Sequence, residues 1–137
     1  MSRRAEVDRI WQLLVTLVME SRGDWRRAAI EVTGLPFSRV RALTRVANGP
    51  LSLRELAEAM TIDAPAATVI VNDLEERGLV RRRSHATDRR TKVVSVTAAG
   101  KRLADAVSRI DERAPEPLAS LSAKDVATLS RIFTPRE

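Results

Sequence analysis

Between Ser52 and Thr97 the hydrophobic period of this chain switches from that of a helix to that of a strand, and the switch follows two short, sharply punctuated helices. Ser52-Leu53-Arg54-Glu55 reads as a capping box, in which the serine hydroxyl takes one orphan N–H and the glutamate reaches back to another. Leu53, Leu56, Ala57 and Met60 then recur at i, i+3, i+4, i+7, one face of a helix. Thr61 and Ile62 make a short turn. Asp63 caps a further helix that tolerates Pro65 in its first turn. Its inward face is Ala67, Ile70, Val71 and Leu74, and Gly78 is its left-handed stop. Leu79 to Ser84 and Thr91 to Thr97 have strand composition, and the polar residues between them make a β-hairpin.

The flanks are helical. Val40, Leu43 and Ala47 mark a helix from Phe37 to Ala47, which Asn48-Gly49-Pro50 ends with turn chemistry. Before it, Val7, Ile10, Trp11, Leu14, Leu17 and Val18 fall on a long helix that runs to Gly34-Leu35-Pro36. Leu13 and Val15 widen its apolar stripe beyond one face, which calls for a partner subunit or for extra core burial. After the hairpin, Thr97 starts a fifth helix through Leu103, Val107 and Ile110, which Pro115 and Pro117 interrupt or kink. Ser122 to Asp125 opens a last helix carrying Val126, Leu129, Ile132 and Phe133. The fold expected is mainly α with a small β-hairpin wing. Its divisions are residues 1–34 (N-terminal helix), 35–97 (helix pair and hairpin) and 98–137 (C-terminal helices).

Composition narrows the chemistry. The 137 residues include no cysteine, which rules out disulfides and thiolate metal sites, and one histidine, which leaves little for a zinc site or a Ser–His enzyme. No acid–base pair, metal cluster or phosphate-cradling glycine loop stands out, and the expectation is a protein that is not an enzyme, with no metal and no cofactor. No membrane span or cleavable leader is read, and the expected location is cytoplasmic. The net charge is +6, and all but Lys92, Lys101 and Lys124 of the 24 basic residues are arginine. Arginine suits bidentate recognition of phosphates and base edges, although codon bias produces the same excess.

Two helices followed at once by a hairpin make a winged helix-turn-helix, whose second helix enters the DNA major groove. The wing carries Arg81, Arg82, Arg83, Arg89, Arg90 and Lys92 against one acid, Asp88. Phosphate and minor-groove contact gives such a cluster a reason to exist; a solvated charge run is the plainer explanation. On the second helix the outward face is Pro65, Thr68, Val69, Asn72 and Glu76, with Ala64 at its edge. Thr68 suits a phosphate or a base edge, and Asn72 suits adenine. Val69 either packs on a thymine methyl or is shielded by the wing. Asp73, Glu75 and Glu76 would be repelled by phosphates, so the N-terminal half of the helix is expected to enter the groove. Ser52 and Arg54 are placed to hold backbone phosphates, with Arg39 and Arg41 as weaker candidates.

These residues carry a family resemblance. Leu53-Arg-Glu-Leu-Ala-Glu-Ala-Met60, Leu74-Glu-Glu-Arg-Gly-Leu-Val80 and above all Asp88-Arg-Arg-Thr-Lys-Val-Val-Ser-Val-Thr97, followed by Ala98-Ala-Gly100, resemble the MarR family of transcription regulators. The resemblance covers about residues 35 to 107. It implies a homodimer with intertwined terminal helices, bound to double-stranded DNA at a palindromic operator, and often release by a small aromatic or phenolic effector. It implies that Arg90 reaches into the minor groove, held by a salt bridge from Asp88; simple turn formation is the other role open to Asp88. Val69 departs from the family, many of whose members carry a basic residue there. The short last helix and the prolines depart from it too.

Val7, Ile10, Trp11 and Leu14 are the dimer candidates at one end of the chain, and Leu129, Ile132 and Phe133 at the other. Trp11, Trp25 and Phe37 are the aromatic candidates for an effector wall. There is no tyrosine to supply a phenol and no cysteine for thiol-based peroxide sensing. His85 lies in the wing loop, exposed or facing phosphate. Two rival readings remain beside the specific repressor: an architectural DNA-binding protein without inducer, which the charge-poor Ala64-Pro65-Ala66-Ala67 turn favours, and a winged-helix protein-interaction module.

Overall fold

The computed structural model describes residues 1–85, 87–88, 90–110 and 113–136. Two compact units emerge, one formed by Met1–Gly23 with Asp111–Glu137 and the other by Asp24–Ile110. Helix α1 spans Arg3–Thr33 and contributes to both. It stops because Gly34 adopts a left-handed φ of 68° while its N–H still reaches the Ile30 carbonyl at 2.8 Å. The chain then turns Leu35 into the core.

In the larger unit, α2 (Phe37–Ala47) is followed by β1 (Leu51–Ser52), α3 (Leu53–Met60) and α4 (Ala64–Glu76). Strands β2 (Val80–Ser84) and β3 (Lys92–Val96) come next, then α5 (Ala98–Ser108). Every inward residue expected on α4 is buried: Ala67, Ile70, Val71 and Leu74. Ile70, Val71 and Leu74 share one core cluster with Val40, Leu43 and Val46 of α2, Leu56 and Met60 of α3, Val80 and Val94 of the sheet, and Ala104 and Val107 of α5. Full burial of a Leu or Val side chain is worth about 1.5–3 kcal/mol relative to exposure, so this cluster is the main stabiliser of the unit. On α2 the buried residue near the end is Val46, with Ala47 only half-buried, because Val46 continues the Leu43 row.

The hairpin has a third strand. Strand order is β1-β3-β2, all antiparallel, with Leu51 opposite Val94 and Ser52 opposite Val93. Ser52 holds an extended backbone (φ −68°, ψ 161°) because it caps α3. That same extended geometry lets it pair with β3. Two residues carry no periodic signal, which is why the strand is not legible in the pattern.

Helix α5 ends at Ser108, and in the smaller unit α6 (Glu116–Ala119) and α7 (Ala123–Phe133) follow. Pro115 is the N-cap of α6 and Pro117 lies in its first turn. The prolines thus open a helix where they were expected to interrupt one, since a first turn has no use for the missing N–H. Ser122 caps α7, its hydroxyl accepting the Asp125 N–H at 3.2 Å. No described residue of this unit is buried. Val7, Ile10, Trp11, Leu13, Val18, Met19, Ile132 and Phe133 are all exposed. An open apolar groove of about 460 Å³ is lined by Ile10, Leu14, Leu118, Leu121, Val126, Leu129 and Phe133. No helix is long and apolar enough, among the described residues, to cross a membrane.

Candidate nucleic-acid interface

The helix pair is built by its caps. The Ser52 hydroxyl accepts the Glu55 N–H at 3.0 Å, and the Glu55 carboxylate accepts the Ser52 N–H at 3.2 Å. The capping box is therefore formed on both sides. The turn between α3 and α4 runs through Thr61, whose φ of 56° and ψ of 47° are left-handed. Asp63 closes the turn by accepting the Ala66 N–H at 2.7 Å. At the far end of α4, Gly78 takes φ 73°. There the Thr97 hydroxyl donates to the Gly78 carbonyl at 2.7 Å and accepts the Gly100 N–H at 3.1 Å. The Thr97 N–H meanwhile donates to the Leu79 carbonyl at 3.0 Å. One threonine thus joins the end of α4, the start of β2 and the start of α5.

The outward face of α4 lies as the helical angle places it. Ala64, Pro65 and Asn72 are exposed, Thr68 is half-exposed, and Val69 is 59% exposed. Val69 is thus open, which settles its orientation against shielding by the wing. The Thr68 hydroxyl donates to the Ala64 carbonyl at 3.0 Å, which leaves its lone pairs to face outward. Arg54 is exposed and pairs with Glu58 at 3.3 Å, a surface contact worth little to stability and readily exchanged for a phosphate.

The acids on α4 are mostly neutralised in place. Asp73 accepts from Arg39 at 3.0 Å and from Arg77 at 3.1 Å. These hydrogen bonds, Arg39's first, hold its carboxyl below the usual carboxylate range. Glu75 accepts from the Arg82 guanidinium at 3.0 Å and from the Arg82 N–H at 3.1 Å, and the same two contacts lower its carboxyl. Of the three, Glu76 is left to face phosphate repulsion. Arg39 and Arg41, weaker candidates for phosphate contact, have internal partners: Arg39 is tied to Asp73, and Arg41 donates to the Met60 carbonyl at 3.3 Å.

On the wing, alternation along β2 divides the arginines. Val80 and Arg82 point to the α4 side, while Arg81 and Arg83 are exposed on the other. Arg82 is therefore no free cation; its guanidinium donates to Asn72 Oδ1 at 2.6 Å as well as to Glu75. Period-2 alternation from the buried Val80 is the signal that distinguishes it. Arg81, Arg83 and Arg90 are exposed and make no side-chain ion pair among the described residues. Lys92 donates to Ser84 across the strands at 3.2 Å. Arg89 lies outside the described residues.

Asp88 serves the turn. Its carboxylate accepts the Arg90 backbone N–H at 3.0 Å and the Thr91 hydroxyl at 3.2 Å, and does not pair with the Arg90 guanidinium. An aspartate two residues upstream sits naturally over that N–H, as in an Asx turn. The salt bridge expected from the resemblance is thus replaced by a backbone contact that shapes the loop presenting Arg90. His85 is exposed, its Nδ1 accepting the Thr87 N–H at 3.2 Å. Trp25 and Phe37 pack edge-on at 5.9 Å, with the Arg26 guanidinium 4.7 Å over the Phe37 ring. Trp11 is exposed. No group of three or more metal-ligating side chains occurs among the described residues.

Comparison with known proteins bears on this geometry. Residues 33–91 match the model of the MarR family. Over 68 residues the chain is 40% identical to a Thauera aromatica protein named for transcriptional regulation of the hcr operon, a match that takes in 49% of this chain and 39% of that relative. A mutant of MepR from S. aureus superposes with a TM-score of 0.72 at 20% identity, covering 89% of this chain and 91% of the other. A mutant of MarR from E. coli complexed with operator DNA gives 0.65 at 18% identity, covering 97% and 96%. At such identities the likeness is one of fold, a mainly helical chain with a small antiparallel sheet.

Proposed function

We propose that this chain, whose residues 33–91 match the model of the MarR family, is a regulator of that family: a dimeric, sequence-specific DNA-binding protein that represses transcription from a palindromic operator and responds to a small ligand. The observation that carries the reading is the pairing of an open α4 face with a wing whose Arg81, Arg83 and Arg90 are exposed without acidic partners among the described residues. Guanidiniums on a wing beside a capped helix suit phosphate and minor-groove contacts flanking a helix in the major groove. Ser52 and Arg54 at the start of α3 add backbone contacts, as does Lys92. Thr68, Val69 and Asn72 supply the base contacts, with Ala64 and Pro65 close against the groove wall. The operator complex of a similarly folded protein supports the same docking.

Dimerisation has its own support. A segment that buries none of its described residues and exposes Val7, Ile10, Trp11, Ile132 and Phe133 does not hold its shape alone in water. A second copy presenting Leu14, Leu129 and the same apolar faces would cover it, as obligate interfaces do. On this reading residues 1–34 and 98–137 carry the dimer arms. A small aromatic or phenolic effector is the ligand class proposed.

Enrichment of random DNA fragments by the purified protein tests the reading. A recovered palindrome supports a specific dimeric regulator. Binding without any enriched motif turns the reading to an architectural DNA-binding protein, a role that the cation-free Ala64, Pro65 and Val69 of α4 favour. No affinity for DNA even at low salt leaves a protein-interaction module.

A further inference from the structure

Arg82 belongs to the basic wing by sequence but not by position. The residue pairs with Val94 across the sheet and shares the face of the buried Val80. From there one guanidinium nitrogen donates to Asn72 Oδ1 at 2.6 Å and to Glu75 Oε1 at 3.0 Å, while the Arg82 N–H donates to Glu75 Oε2 at 3.1 Å. Glu75 thus clamps Arg82 through both its backbone and its side chain, and the clamped guanidinium holds the amide of Asn72. Arginine has donors only, so the amide has one way to face it, oxygen inward. The NH₂ group of Asn72 is left pointing away from the wing. Asn72 lies on the exposed stripe with Pro65, Thr68 and Val69.

We infer that Arg82 is a positioning residue that fixes the amide of Asn72 with its donor toward the DNA, so that this position of α4 reads a base acceptor. In the major groove the acceptors are guanine O6 and N7, thymine O4 and adenine N7. The inference rests on the DNA-binding reading above. It assigns Arg82 a part in sequence choice and none in phosphate binding, and it separates Arg82 from its neighbours Arg81 and Arg83. Freed from Arg82, the amide flips at little cost and offers donor or acceptor alike.

The test is selection from random DNA, repeated with Arg82→Met, Asn72→Ala and the double variant, each checked for fold by circular dichroism and thermal midpoint. Arg82→Met is expected to relax the preference at one base pair of each half-site by about five- to tenfold. That pair is the one that Asn72→Ala relaxes, and the double variant adds nothing further there. The slope of affinity against salt stays as in the wild type. A uniform loss across all sequences, with a slope shallower by about one, would make Arg82 a phosphate contact and overturn the inference. So would a preference left unchanged by Arg82→Met. Arg82→Lys separates charge from geometry: a phosphate contact survives the change, whereas the planar fork that orients the amide does not. If the wild type itself selects no motif, the DNA-reading function fails first, and that outcome is distinct from an unresponsive Arg82.

Discussion

Gly100 and Leu79 touch backbone to backbone: a Cβ on Gly100 would stand 2.0 Å from the Leu79 carbonyl oxygen and 2.7 Å from a methyl of Val96. The glycine sits in the first turn of α5, where its conformation is ordinary, so the requirement is for space alone. Gly100→Ala must push α5 off the root of the wing. The expected cost is at least about 3 kcal/mol, at the upper end of overpacking. Urea denaturation measures it, and a loss under 1 kcal/mol, on the order of a surface change, would show that the two backbones separate freely.

Thr61 bears the opposite kind of strain. It holds a left-handed conformation with a β-branched side chain, which costs on the order of 1 kcal/mol or more. Thr61→Gly relieves it and is expected to raise the thermal midpoint despite the added freedom of the unfolded chain. Its side chain is exposed, so no packing is lost. A lower midpoint would mean that the threonine contributes a contact that outweighs the strain.

Asp73 gives stability a pH dependence of defined sign. Its folded carboxyl is held below the unfolded value by Arg39 and Arg77. The contribution is therefore complete above the unfolded pKa of about 4 and is lost as pH falls through the lower folded value. Glu75, lowered by Arg82, adds in the same direction. Thermal midpoints of wild type and Asp73→Asn are expected to differ at pH 7 and to converge as the pH drops well below 4. A constant gap across that window would assign the difference to something other than ionisation.

At the wing tip, Arg90→Ala is expected to weaken DNA binding with the thermal midpoint unchanged, because the side chain is exposed and makes no ion pair among the described residues. Arg83→Ala should weaken binding about equally for all sequences and reduce the salt slope by about one. Titrations at several salt concentrations separate the two. Asp88→Ala acts differently: with its cap on the Arg90 N–H removed, the loop that presents Arg90 loosens, and affinity falls without a change in slope. Unaltered affinity in Arg90→Ala would remove the tip from the interface.

The lobe was legible wherever a residue's role is local. The Ser52–Glu55 box, the Asp63 cap, the Gly78 stop and the four inward residues of α4 follow from spacing and cap chemistry, and each is found where that chemistry puts it. Contacts between distant elements were not legible. Nothing in the order of residues announces that Arg39 will meet Asp73, or that Leu51 and Ser52 will pair with β3. On the wing, charge counting treated six cations as alike, whereas the strand's alternation turns Arg82 inward and leaves Arg81 and Arg83 out. The prolines near residue 115 show the converse limit: their chemistry is local, but whether they end one helix or open another depends on where the chain has to go next.

The Thr97 joint has a mechanical meaning. Its hydroxyl and N–H tie the last turn of α4, the first strand of the wing and the head of α5 at one point. A tool-maker would call this a solid casting rather than a hinge. Three hydrogen bonds at one residue couple these elements, so a displacement of α5 is expected to carry α4 and the wing with it.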